Sequence, residues 1–478
     1  MTTLTEYDLS GSLANGTVMD WSDKSLWALG SVPNDPTALV VFQSLTDSSG
    51  NTKSYTIEIK CGESFDVCTL DMAGSTLRLA GTLTLGTGVN VISNSAEVDL
   101  AGGTLNAGYL HLAGTPSVQG LIGTGTIAAS DYLYIQSSII SSCGTANSCR
   151  SPCGPSQTNG STLTITGGEL VNAGLLEANA GTTFIVAVSD FTNFCSGVLS
   201  GGAYETNGGT LDLHTPGVIT TDAADIIISG FYCGSIESFD TTSGKYAALQ
   251  STLTTITSGG ILDLESAPYV TNLSVTDQGS LTINGALAAF VGPGLTIAAG
   301  GSATLDGDTP FLNQVITVNH LVNNGIITVE AGSRGADIIA AASITGTGSI
   351  VIGAGAAAEL TGSVANAIRF ADGTGKLTLD TPGSMTGTIE SFTAGDHITL
   401  GGSGSFGIIG SILSLFGMGG KSSPITSEYS GTASAGTLSV HEGSTTFKLA
   451  FQGDYTHANF SVTSDSHGIE IVGVGSFV

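Results

Sequence analysis

Positive charge is what this sequence has least of. Only 11 of its 478 residues are Lys or Arg, against 39 Asp or Glu, so the formal net charge is −28. Charged residues make up 10% of the chain and aromatics 6%, where an ordinary globular chain is about one-quarter charged. Each shortage excludes something. Eleven scattered cations cannot build the basic face that neutralises phosphate, which argues against nucleic-acid binding. The same acidic field repels polyanionic substrates and anionic membrane surfaces. A disordered acidic tail is excluded too, because it needs dense charge and low hydrophobicity, and 41% of this chain is hydrophobic. Long apolar runs are missing. The most apolar stretch, residues 406–418, falls well short of the roughly 20 residues a membrane span needs, so no membrane span is expected. The first residues, Met1-Thr2-Thr3-Leu4-Thr5-Glu6, carry no basic or apolar leader, and the first cation is Lys24. No Sec signal is therefore visible. Export by a route that reads another address, commonly a C-terminal one, is the expectation if the protein is extracellular.

What is present in quantity is glycine, at 69 positions, together with Thr, Ser and short alternating phrases. Thr76-Leu77-Arg78-Leu79, Thr82-Leu83-Thr84-Leu85, Glu97-Val98-Asp99-Leu100, Ile261-Leu262-Asp263-Leu264 and Ser280-Leu281-Thr282-Ile283 all alternate with period two between turn residues. That pattern predicts half-buried strands. Equivalent leucines recur from Leu83 to Leu105 and from Leu262 to Leu281. A coil of roughly 20 residues carrying two or three short strands is one rung of a solenoid. The predicted fold is therefore all-β: a right-handed parallel β-helix (β-solenoid) with an N-terminal cap and a C-terminal β domain. Small residues fit its corners. Neutral hydroxyls suit its faces, because like charges stacked about 4.8 Å apart repel. Three regions are expected: a cap over 1–60 holding Trp21 and Trp27, a solenoid over 61–365 interrupted by a Cys-rich loop near 141–160, and a C-terminal β domain over 366–478 serving as cap, assembly or secretion element.

The seven cysteines, Cys61, Cys68, Cys143, Cys149, Cys153, Cys195 and Cys233, lack zinc-ligand spacing. The cluster Cys143, Cys149 and Cys153 reads first as a disulfide-tied surface loop, ahead of free thiols or a metal. An odd count leaves at least one thiol free or paired between chains. Disulfides would place the protein in an oxidising compartment.

Catalytic constellations are sparse. A glycosidase needs two carboxylates about 5 to 9.5 Å apart in one cleft. Asp222 with Asp225, and Asp306 with Asp308, are the pairs nearest to that requirement, but the Asp306–Asp308 stretch reads foremost as a turn. Arg78, Arg150, Arg334 and Arg369 are too dispersed for a polyuronate lyase. Asp306 and Asp308 are weak metal candidates. Calcium suits an acidic extracellular protein, yet the Gly-Gly-x-Gly-x-Asp repeat is missing, and no cofactor is expected. His111, His214, His320, His397, His441, His457 and His467 show no metal-ligand pattern. Phe406, Ile408, Ile409, Ile412, Leu413, Leu415, Phe416 and Met418 form the one apolar, Gly-punctuated segment. It reads as a buried element or as an assembly patch.

Several phrases resemble those of bacterial β-strand-repeat secreted and surface proteins, the adhesin-like group with filamentous-haemagglutinin or autotransporter-passenger repeats. Trp21 and Trp27 followed by Gly30-Ser31-Val32-Pro33, and then the strand Tyr55-Thr56-Ile57-Glu58-Ile59, look like their opening. Leu321-Val322-Asn323-Asn324-Gly325-Ile326 and Ile344-Thr345-Gly346-Thr347-Gly348-Ser349-Ile350 look like their repeats. Phe370-Ala371-Asp372-Gly373 and the stretches around Gly387-Thr388-Ile389 and Phe451-Gln452-Gly453-Asp454 look like their C-terminal parts. The chain departs from that group in its cysteines and its shorter length, and no translocator barrel is expected. The resemblance implies an extracellular or cell-surface protein that is structural or adhesive and not an enzyme. Its expected partners are itself, as a homo-oligomer or a filament assembled through the solenoid ends and the C-terminal domain, and a cell-surface polysaccharide or host surface. Two other readings stay open: a carbohydrate-acting β-helix enzyme of the tailspike kind, and an intracellular β-helical cytoskeletal filament.

Overall fold

The structure is a computed structural model. It describes residues 5–9, 14–42, 45–46, 49, 52–72, 75–92, 96–113, 119–142, 161–230, 234–307, 313–332, 336–401, 425–465 and 468–474. Among them the chain is all-β, with three single-turn 3-10 helices and no α-helix. Among the described residues no helix is long and apolar enough to cross a membrane. The chain divides into two compact units, Met1–Thr252 and Leu253–Val478. This division coincides with neither of the boundaries expected at 60 and 365.

In the first unit, alternation turns one side of each strand inward. Tyr55–Ile59, Thr76–Leu79 and Glu97–Ala113 pair side by side in parallel, with Ile57 opposite Leu77 and Leu77 opposite Val98. Leu83 lies opposite Leu105, and Leu105 opposite Ile127 in the strand Gln119–Ser142. All six of these aliphatic side chains are fully buried. A one-residue slip would turn the whole column to solvent, so the repeated leucines fix the register.

The Gly-Thr-Leu phrase gains its meaning at the corners. Thr104 N donates to Gly81 O at 2.9 Å. A Cβ on Gly103 would collide with the carbonyl oxygens of Leu79 and Gly81, and one on Gly125 with the carbonyl of Gly103. Successive corners approach backbone to backbone, and only glycine leaves the space.

The first 60 residues differ from the expected cap, because they already belong to the parallel ladder. Thr5–Asp8 pairs with Asp35–Phe42, and Thr17–Asp20 pairs with Tyr55–Ile59. Both tryptophans lie there. Trp21 and Trp27 sit 5.1 Å apart edge to face, and Trp21 packs on Phe42 at 5.8 Å. Trp21 Nε1 donates to Pro33 O and Trp27 Nε1 to Trp21 O, so burial leaves neither indole nitrogen unpaired.

The second unit repeats the pattern. Ile261–Glu265, Ser280–Asn284, Ser302–Asp306, Ile326–Val329, Ser349–Ile352 and Ala367–Phe370 pair successively in parallel, and Leu262 lies opposite Leu281. Asn side chains staple neighbouring strands: Asn323 Nδ2 donates to Ser349 O at 2.9 Å and Asn366 Nδ2 to Asn323 O at 2.8 Å. Parallel pairing continues past the composition change at 366. His397–Leu400 still pairs in parallel with Lys376–Leu379, and only its other edge meets Gly468–Val474 antiparallel. Antiparallel hairpins follow around Phe392, Phe451, Tyr455 and Phe460, where Phe392 N donates to Tyr455 Oη at 3.0 Å.

Candidate functional site

With aliphatic residues inward, the outward positions of the first unit carry whatever chemistry the sheet presents. Leu110 and Leu112 are buried in Glu97–Ala113, which leaves Tyr109 and His111 facing out. Leu133 and Ile135 do the same for Tyr132 and Tyr134 in Gln119–Ser142. Parallel register sets Tyr109 opposite Tyr132 and His111 opposite Tyr134. The rings stack accordingly. Tyr109 and Tyr132 have centroids 4.9 Å apart, His111 and Tyr134 5.1 Å, and both pairs are nearly parallel. His111 Nε2 donates to Gln136 Oε1 at 2.9 Å. Val89, 56% exposed, continues the stripe beside Tyr109.

Carboxylates adjoin this aromatic ladder. In register, Tyr132 is followed by Glu169 of Ser161–Asn179 and then by Asp190 of Thr182–Phe191. Asp131 is exposed beside Tyr132, with Oδ2 close over Gly108. Desolvation, then Tyr109, Glu169 and Tyr134, raise the Tyr132 phenol above its ordinary pKa. Among the described residues, none of Asp131, Glu169 and Asp190 takes part in an ion pair.

The first unit also shows how charge is accommodated when it must stack. Glu58, Arg78 and Asp99 lie in register on neighbouring strands, with Arg78 Nε 3.9 Å from Glu58 and 3.6 Å from Asp99. A cation between two carboxylates avoids a like-charge ladder.

A second cluster of titratable groups joins Asp212, His214, Glu237 and Tyr246. Asp212 Oδ2 lies 3.4 Å from His214 Nε2, and Asp212 is in register with Glu237. Burial raises the Asp212 carboxyl, opposed by His214 and helped by Glu237. The arrangement can hold a proton, but Phe239, against both His214 and Tyr246, packs it as part of the sheet surface. In the second unit a shallow groove is lined by Thr388, Ser430, Ser434, Thr437, Phe451 and Gln452, among others, with no titratable group.

The residues singled out from the sequence fare as follows. The expectation of disulfides is corrected at three positions: Cys61, Cys68 and Cys195 are free thiols. Cys61 sits in the turn after Tyr55–Ile59, while Cys68 lies four residues into the strand Ser64–Met72. At about 3.3 Å per strand residue the two α-carbons are beyond the roughly 7 Å a bridge spans. Cys143, Cys149, Cys153 and Cys233 lie outside the described residues, as do Asp308 and the whole segment from Phe406 to Met418 with Ile408, Ile409, Ile412, Leu413, Leu415 and Phe416. Asp306 ends the strand Ser302–Asp306. Asp222 and Asp225 fall on opposite faces of Thr221–Ser229. Asp222 is buried and accepts from Ala224 N at 2.9 Å, and Asp225 is half-buried. Among the described residues, no group of three or more His, Cys, Asp or Glu is placed to hold a metal ion.

Tyr109, Tyr132 and Tyr134 were not among the residues picked out. The signal was present: Tyr109-Leu110-His111 and Tyr132-Leu133-Tyr134 alternate as the leucine phrases do and are spaced like successive coils. What these residues define is an all-β protein bearing an outward aromatic ladder with an acidic margin. No protein-family profile matches the chain, and no curated protein sequence matches it significantly.

Proposed function

We propose that the chain is a right-handed parallel β-solenoid serving as a non-enzymatic structural and adhesive module of a bacterial surface or extracellular matrix, akin to the β-strand-repeat adhesins its phrases resemble. The observation that carries this reading is the in-register parallel pairing of glycine corners and leucine columns within each unit. It generates long faces of repeated outward side chains and suits contact more than turnover. The aromatic ladder is its contact face. The edge of His397–Leu400 is occupied by an antiparallel strand, so the self-association in this proposal uses sheet faces and the apolar segment 406–418 instead of that edge. Electron microscopy of the native protein tests it. Slender rods or their lateral assemblies are expected, and compact spherical particles would overturn it.

The free thiols at Cys61, Cys68 and Cys195 favour a second reading, an intracellular filament in a reducing compartment. Counting reactive thiols in protein isolated under alkylating conditions separates the two. Seven reactive thiols support the intracellular filament, and three, with Cys143, Cys149, Cys153 and Cys233 paired off, support the exported protein.

A further inference from the structure

We propose that the ladder face formed by Tyr109, Tyr132, Glu169 and Asp190 docks an extended, arginine-bearing polypeptide segment of a partner protein. This inference rests on the reading of that face as the module's contact surface.

The geometry favours guanidinium over other ligands. Tyr109 covers one face of Tyr132. At the same register position on the other side stands Glu169, which has no ring to stack. A planar cation laid on that side of Tyr132 meets the aromatic quadrupole and the Glu169 carboxylate together. Asp190 follows one strand further on, about 4.8 Å away, so the pair presents two carboxylates to one forked donor. Among the described residues no Lys or Arg pairs with Asp131, Glu169 or Asp190. The chain's own shortage of cations makes the complementary charge something a partner must bring. A sugar ring is served less well. A neutral sugar can reach the same face of Tyr132 but leaves the Glu169 and Asp190 charges without a counter-ion.

The test is fluorescence anisotropy of a labelled hexa-arginine peptide against the full chain at about 150 mM salt, where distant charges are screened. The paired substitution Glu169→Gln and Asp190→Asn is compared with Glu330→Gln and Asp372→Asn, which removes the same charge from exposed positions in the second unit. Loss of charge-assisted hydrogen bonds predicts an affinity drop of at least about tenfold for the first pair and under about twofold for the second. Tyr132→Leu should weaken binding by about fivefold, the loss of one cation–π contact. Equal losses in the two pairs would overturn the proposal, since only net charge would then be read. A chitosan hexamer that binds as tightly as the peptide and loses as much at Glu169 and Asp190 would overturn it in favour of a cationic glycan. Disulfide formation in T84C/N106C, run on the same preparation, reports the stacked fold separately. Lost peptide binding with that bond intact therefore counts against this docking site and not against the β-solenoid reading.

Discussion

Tyr132 stacks on Tyr109 with ring centroids 4.9 Å apart because parallel register sets the two residues directly opposite each other on neighbouring strands. The stack joins fold and surface: it ties two strands together and sets the spacing of an outward aromatic row. A double-mutant cycle of Tyr109→Ala and Tyr132→Ala should give a coupling of about 0.5–1.5 kcal/mol in urea unfolding. Additive losses would show that the rings are neighbours without being partners.

Two adjacent glycines separate crowding from backbone strain. Gly102 has φ +87° with open space around its Cβ direction, whereas a Cβ on Gly103 meets the Leu79 and Gly81 carbonyls. Gly102→Ala should cost about 1–2 kcal/mol for the left-handed backbone alone. Gly103→Ala must push two strands apart and should cost about 2–4 kcal/mol. Thermal unfolding of the two variants ranks them, and the reverse order would contradict the close corner approach.

Burial makes the second unit sensitive to pH. Asp277, fully buried and accepting from Gly279 N at 2.8 Å, is pushed up to about 6. Asp337, accepting from Gln314 N at 3.0 Å, is also pushed up to about 6, by burial and then by nearby Asp306. A carboxyl raised from 3.8 favours the protonated folded state. Its contribution is fully present below pH 3.8 and is lost as the pH rises through 6. A shift of about two units corresponds to about 3 kcal/mol per group. Asp20, held down to about 2 chiefly by Lys60, acts oppositely, and only below its ordinary 3.8. Residues 253–478 should therefore resist urea better at pH 4.5 than at pH 7.5, with Asp277→Asn reducing the difference. Half-buried Glu359 and Asp380 and buried Asp396 add to it in the same direction. Stability that rises over this interval would refute the assignment.

Thiol exposure gives a third ordering. Cys61 and Cys195 are exposed and Cys68 is half-buried. Brief labelling of the native protein with a maleimide, mapped by mass spectrometry, should modify Cys61 and Cys195 before Cys68. Faster reaction at Cys68 would contradict its place in the strand Ser64–Met72.

Much of the strand pattern was legible because a period-two alternation bounded by turn residues has few other solutions. The phrases Thr76–Leu79 and Thr82–Leu85 are strands with those bounds, and Leu83 does face Leu105 across a ladder. The N-terminal region was harder to read. Aromatics and Pro33 disguise strands that pair as the later ones do, since Trp21 and Phe42 fill space that leucines fill elsewhere. The end of parallel pairing was misplaced for a similar reason: composition changes near 366, but hydrogen bonding changes only at His397–Leu400. The site was the least legible part. Cysteines and an apolar run attract attention in a sequence, whereas an aromatic ladder exists only once register brings Tyr109 and Tyr132 together.

Within each unit neighbouring strands pair in parallel and in register, and engineered cross-links measure that pairing. Thr84 faces Asn106 and Thr282 faces Thr304, all outward, and Asn106 Nδ2 donates to Thr84 Oγ1 at 3.3 Å. Neighbouring parallel strands about 4.8 Å apart fall within disulfide reach. With the native cysteines replaced by serine, T84C/N106C and T282C/T304C should close intramolecular disulfides under mild oxidation. T84C/T104C, out of register by two residues at about 8 Å, should stay reduced. A bridge in T84C/T104C, or none in the two in-register pairs, would contradict the parallel register.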